Sequence, residues 1–164
     1  MARRVRRETP PGEFEDPLKD YSPPQYDDEL ERALIETHVT AMQTQPITAM
    51  GPGTTIEQAM RTMAEREIAC VLVTEGDRLL GLFSERDVLN KVADRFEQIK
   101  NHSVTEVMTP EPMVVHDIDS PATALNLMAV HGFRHVPILN VDEKLVGIVG
   151  PRRVSNYLQA HFAK

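Results

Sequence analysis

The sequence predicts an α+β protein of two small units, each a short sheet flanked by helices, packed by pseudo-two-fold symmetry. Three observations predict it. The chain repeats at an offset of 65 or 66 residues: Met42 matches Met108, Pro46 matches Pro112, Ala59 matches Ala124, Val71 matches Val136 and Gly81 matches Gly147. Each copy reads strand–helix–strand–strand–helix, with apolar spacing that switches between helical periodicity and short β-branched runs. Neither copy can easily bury both faces of its sheet alone, so the two are expected to fold as one body.

Residues 1–28 read as a disordered or extended tail, 29–99 as the first repeat with a leading helix, and 100–164 as the second repeat. The tail has a basic head (Arg3, Arg4, Arg6, Arg7) and then an acidic, proline-rich stretch with few apolar residues to offset the entropy of ordering. A helix is expected from Leu30 to about Met42. Gln45-Pro46-Ile47-Thr48-Ala49 should be extended, since proline disfavours helix in the residue before it. After a Gly51-Pro52-Gly53 turn, Thr54 or Thr55 should cap a helix with Ile56, Ala59, Met60 and Met63 on its apolar face. Cys70–Thr74 and Leu79–Phe83 read as a hairpin around Glu75-Gly76-Asp77-Arg78, followed by a helix from Glu85 to about Phe96. The second copy repeats the pattern: strand Met113–Val115, helix Ser120–His131, strand His135–Leu139, turn Asn140–Lys144, strand Leu145–Val149 and helix Arg152–His161.

Composition narrows the function. With 164 residues and 41% hydrophobic residues the chain can bury a real core. A formal charge of −7 argues against bulk affinity for nucleic acid or anionic membrane. The arginine-rich head suits contact with nucleic acid or a phosphorylated partner, but the carboxylates beside it cancel its field within a Debye length of about 8 Å, so a solvated tail is expected. One cysteine, Cys70, lies in an apolar run and reads as a buried small hydrophobe. With no intramolecular disulfide possible, no membrane-length apolar run and no signal-peptide core, a cytoplasmic location is expected. No nucleophile–base constellation, no Gly-x-x-x-x-Gly-Lys loop and no metal-ligand spacing among the six histidines supports catalysis or a metal site, so no enzyme activity is expected.

One stretch carries chemistry: Gly81-Leu82-Phe83-Ser84-Glu85-Arg86-Asp87. Ser84 is placed to cap the following helix, whose free N–H groups and dipole favour an anion. Asp87, three residues on, lies on the same side and can accept hydrogen bonds from a pair of hydroxyls. That combination fits a nucleotide, with ribose on Asp87 and phosphate near Ser84. From spacing alone, a capped helix with an acidic first turn is the favoured reading.

Taken with Val104-Thr105-Glu106-Val107-Met108-Thr109-Pro110, Gly132-Phe133-Arg134-His135-Val136-Pro137-Ile138 and Leu145-Val146-Gly147-Ile148-Val149, this stretch resembles a stand-alone tandem CBS-domain protein, or Bateman module. The resemblance covers roughly residues 32–162. It implies two CBS repeats with adenosine ligands bound in the cleft between them. AMP, ADP or ATP are the implied ligands, with NAD or S-adenosylmethionine as further candidates. It also implies a homodimer of modules and a regulated partner protein that the sequence does not name. Carried over, Asp87 matches the ribose-binding aspartate, Ser84 the phosphate-side hydroxyl and Leu82 an apolar contact to the base. Thr109, Met113 and Val114 match the strand lining the adenine pocket. Phe133 precedes Arg134 and His135, which match the basic pair that grips phosphate. An arginine fork suits phosphate oxygens, and histidine adds a titratable donor. The second cleft departs from the pattern: Gly150 replaces the hydroxyl residue and Arg153 the aspartate. Arg153 cannot accept from a ribose. With Arg152 it can hold phosphate, or it can fill the cleft. The competing function is an interaction scaffold with the same fold and vestigial clefts.

Overall fold

The computed structural model describes residues 21–162. The basic head and the expected tail up to residue 20 lie outside the described residues. The elements are α1 (Glu29–Glu36), β1 (Ala49–Met50), α2 (Ile56–Glu65), β2 (Cys70–Glu75), β3 (Arg78–Ser84), α3 (Glu85–Asp87), α4 (Phe96–Ile99), β4 (Thr109–Pro110), β5 (Val115–His116), α5 (Pro121–His131), β6 (Val136–Leu139), β7 (Leu145–Val149) and α6 (Pro151–Phe162). They form two sheets, β1-β2-β3-β4 and β5-β6-β7. In each, a short leading strand pairs parallel to the first hairpin strand and the hairpin is antiparallel.

Caps start the helices where the sequence places them. Thr55 and Gln58 form a reciprocal capping box at α2, and Ser120 caps α5 with Pro121 in its first turn. Two expected helices are broken. The leading helix stops at Glu36, because Thr37 is extended (φ −87°, ψ 163°), and resumes as a 3-10 turn over Val39–Met42. The Thr37 hydroxyl donates to the Ala33 carbonyl at 2.6 Å and lies 3.0 Å from the Tyr157 hydroxyl, which holds the break in place. The expected helix from Glu85 to Phe96 is one α turn, a π turn over Val88–Val92 and a 3-10 turn over Ala93–Arg95. In the widened turn the Arg95 side chain, through Nε, takes the Lys91 carbonyl at 2.9 Å. The short strand expected at Met113–Val115 forms two residues later.

Packing does not follow chain order. Ala33, Val39 and Met42, in the leading segment of the first repeat, are buried with Val115, Ala124, Val136, Ile138, Val149 and Tyr157 of the second. Val104 and Val107, in the leading segment of the second, are buried with Ile56, Val71, Val73 and Phe83 of the first. The leading segments are therefore exchanged. One pair of bonds shows the pseudo-symmetry: Val39 N–H donates to Asp119 O at 2.6 Å, and Val104 N–H donates to Thr54 O at 2.9 Å. Each wholly buried large side chain here, such as Phe83, Met42 or Ile56, contributes about 1.5–3 kcal/mol.

Two glycines allow the exchange. A Cβ on Gly81 would lie 2.4 Å from the Met108 sulfur and 2.8 Å from the Thr109 carbonyl oxygen; one on Gly147 would lie 2.7 Å from the Thr44 side chain. The leading segment thus lies directly on β3 in one copy and on β7 in the other. Between the sheets, Cys70, Leu72 and Leu82 pack with Ile47, Leu145 and Ile148. Met63, on the apolar face of α2, is buried in the first core with Phe83 and Val71.

Candidate ligand cleft at Asp87

Ser84 ends β3 and caps α3. Its side chain and backbone meet Asp87 reciprocally. Asp87 Oδ2 accepts from Ser84 N–H at 3.0 Å and from its hydroxyl at 2.7 Å, and Ser84 Oγ accepts from Asp87 N–H at 3.4 Å. The other carboxylate oxygen looks toward the second repeat's leading strand. Thr109 Oγ1 donates to Asp87 Oδ1 at 3.1 Å, and Lys91 Nζ lies 2.7 Å from the same atom. Lys91 also donates to the carbonyls of Val107 at 3.0 Å and Met108 at 3.2 Å. Asp87 is 6% exposed, and this set of donors compensates its burial.

Ser84, Asp87 and Thr109 are therefore in one hydrogen-bonded cluster. Leu82 is buried next to it, paired in register with Thr109. Met113 is 45% exposed and Val114 half-buried, in the loop that leaves β4 toward β5. Phe133 packs on the second core, its ring stacked on His131 at 5.4 Å, so its contact is with its own repeat. Arg134 is exposed. His135 is half-buried at the start of β6, within electrostatic reach of Glu85 from the first repeat and of Arg153. Burial pushes its pKa down; Glu85 opposes this, while Arg134 and Arg153 add to it. Across the cleft, burial holds the Cys70 thiol up at about 12, although Arg153 acts to lower it. Such a thiol stays protonated and is a poor nucleophile.

Two features differ from expectation. A three-residue α turn that runs into a π turn offers less aligned dipole than a full helix, so anion attraction falls more on Arg134 and His135. The Ser84 hydroxyl and N–H are already committed to Asp87, so a ligand must displace that contact. Lys91 was missed by sequence reasoning. Its position four residues after Asp87 is an (i, i+4) acid–base spacing that would have found it.

In the second cleft Gly150 stands where Ser84 does, and a Cβ there would lie 2.8 Å from His135 Cδ2. Arg153 donates to the carbonyls of Thr44, Ile148 and Pro46. Among the described residues no group of three or more His, Cys, Asp or Glu side chains could hold a metal. No helix among them is long and apolar enough to cross a membrane.

A sheet–helix unit given twice, with exchanged leading segments and a Ser-x-x-Asp turn facing the other copy, defines a tandem-repeat module. The family profile described as CBS domain matches residues 38–94 and 104–160, and the chain belongs to that family as a pair of CBS repeats. It is 29% identical over 125 residues to an uncharacterized 17.7 kDa protein of Acidianus ambivalens, covering 76% of this chain and 74% of that one. Seven further curated relatives are longer, and the chain spans 14–26% of their length. Among solved structures it is similar to CBSX2 of Arabidopsis thaliana in complex with AMP: 26% identity, TM-score 0.63, 75% of this chain and 97% of that one. It also shares the fold of a CBS domain protein of Pyrobaculum aerophilum complexed with AMP: 22% identity, TM-score 0.67, 78% of this chain and 100% of that one.

Proposed function

We propose that this protein is a regulatory CBS pair without enzyme activity that binds an adenine nucleotide at the Asp87 cleft and signals through its conformation or assembly. The observation that carries this reading is the hydrogen bond from Thr109 to Asp87. It places a buried carboxylate, able to accept from two ribose hydroxyls, where the two repeats meet. Leu82, Met113 and Val114 supply apolar surface for the base, and Ser84, Arg134 and His135 supply donors for phosphate. Similarity to CBSX2, solved in complex with AMP, supports AMP first, with ADP and ATP next and NAD or S-adenosylmethionine as further candidates. A ligand on Asp87 must displace contacts from Ser84, Thr109 or Lys91, and the Thr109 contact joins the two repeats, so binding changes how they are tied together.

Assembly is the output we assign. A groove of about 460 Å³ runs along α2 and the turn after α3, lined by Met60, Met63, Ile68, Val88 and Leu89 together with Glu67 and Glu85. Leu89 is 73% exposed. A second copy of the chain is the proposed cover, and a separate regulated protein the proposed target.

A thermal-shift screen of AMP, ADP, ATP, NAD and S-adenosylmethionine tests the reading. Ligand at about a hundred times its dissociation constant should add about 2.7 kcal/mol. For a chain of this size that raises Tm by roughly 5–11 °C.

The competing reading, an interaction scaffold with vestigial clefts, has one observation in its favour. Lys91, Thr109 and Ser84 already satisfy Asp87 without a ligand. It predicts no shift with any of the five ligands.

A further inference from the structure

The two clefts are related by the repeat, yet their polar groups are inverted. Asp87 is an acceptor surrounded by donors. Arg153, at the matching position, is a donor surrounded by acceptors. Its Nη1 takes the carbonyls of Thr44 and Ile148, and its Nη2 takes that of Pro46 at 2.6 Å. Two of these carbonyls belong to the exchanged leading segment, which matches the segment carrying Thr109 and Met113 at the first cleft. The third is on β7. The Thr44 carbonyl also accepts from Ile148 N–H at 3.2 Å, so Arg153 braces a backbone pairing that joins the repeats.

We propose that Arg153 is a built-in occupant of the second cleft. Its guanidinium takes the acceptors lining that cleft and ties α6 to the segment Thr44–Pro46, leaving the Asp87 cleft as the one available to a nucleotide. Three carbonyls around one planar cation give the charge-assisted bonds that hold a partly buried guanidinium in place. The phosphate side is closed as well. The space for a side chain at Gly150 is taken by the His135 ring, so no hydroxyl can stand there as Ser84 does at the first cleft. Tyr157 stands at the position matching Lys91, and its hydroxyl donates to the Ala33 carbonyl at 3.0 Å, binding α6 to α1.

The closure stands on geometry alone, whereas the count of one ligand per chain rests on the nucleotide reading above. Two measurements separate them. Hydrogen exchange, without ligand, compares the full chain with Arg153→Ala. Closure predicts that exchange at Ile148, whose N–H donates to Thr44 O, speeds by at least about tenfold, the loss of charge-assisted bonds, while exchange in α2 stays unchanged. Unchanged exchange at Ile148 overturns the proposal. Calorimetric titration with AMP then counts sites. Closure predicts at most one AMP per wild-type chain. Two AMP per wild-type chain overturns closure. If the wild type takes up no AMP, the nucleotide reading fails and the exchange result decides closure by itself.

Discussion

Lys91 Nζ stands 2.7 Å from Asp87 Oδ1, on the oxygen that also accepts from Thr109. The lysine side chain is 39% exposed and that of Asp87 7%, so the pair lies between an exposed and a buried one. A ribose hydroxyl must share or replace the lysine. Lys91→Met should lower the ligand-free Tm, because it takes the cation from a buried carboxylate, and should tighten adenosine and AMP binding together. Weaker binding of both in calorimetry would mean the lysine supports the ligand instead of competing with it.

Asp87 is structural as well as a candidate ligand contact. It fills both halves of the capping box with Ser84 and reaches β4 through Thr109. From the sequence, Asp87→Ala reads as a change with little effect on the ligand-free protein. The hydrogen bonds reverse that expectation. Loss of the cap costs about 1–2 kcal/mol, which should lower the ligand-free Tm by roughly 2–8 °C. Thermal unfolding monitored by circular dichroism checks it; an unchanged Tm would show that Lys91, Thr109 and Ser84 find new partners.

The repeat, the hairpin turns and the Ser84 cap were legible in the sequence because each is local. A capping residue, a β-branched run and a Gly76 at φ +59° act within a few residues of themselves. The contact of Thr109 with Asp87 was legible through the family resemblance, which placed the two in one cleft. Lys91, the break at Thr37 and the pairing of Arg153 with Thr44 depend on partners far along the chain. Thr37 looks like an ordinary helix residue until Tyr157 is placed beside it. Arg153 reads equally as a phosphate donor or a plug until its carbonyl partners are known. The exchange of leading segments was hidden for the same reason, since Val39 and Val104 are interchangeable as apolar residues and only the fold assigns each to a core.

Gly147→Ala tests that exchange. The added methyl group would meet Thr44 at 2.7 Å, so either β7 or the leading segment must move. Overpacking of this kind costs about 1–3 kcal/mol. Urea unfolding should show the midpoint fall with an unchanged slope. A midpoint equal to wild type would mean that Thr44 does not lie on Gly147.

His135 gives the cleft a pH dependence of definite sign. Its folded pKa is depressed by burial, so the unfolded chain takes up the proton first as pH falls. Its contribution to stability is fully present above the ordinary value of about 6.5 and is lost as pH drops through the lower folded value. A phosphate beside the ring acts the opposite way and raises that pKa. Nucleotide binding should therefore take up a proton, and affinity should rise from about pH 8 to about pH 6. His135→Gln should flatten the profile. A profile equally steep in the variant would assign the titration to another group.

Calorimetric titration of AMP into the wild-type chain and into Asp87→Asn, both verified as folded at the working temperature, tests the nucleotide reading most directly. Asparagine keeps a cap acceptor but loses the charge and one acceptor oxygen that the ribose hydroxyls need. The reading predicts saturable binding at one site in the wild type and at least about a tenfold loss of affinity in Asp87→Asn, the scale of one charge-assisted hydrogen bond. An absence of binding heat in the wild type across several temperatures, or equal affinity in the two proteins, would contradict it.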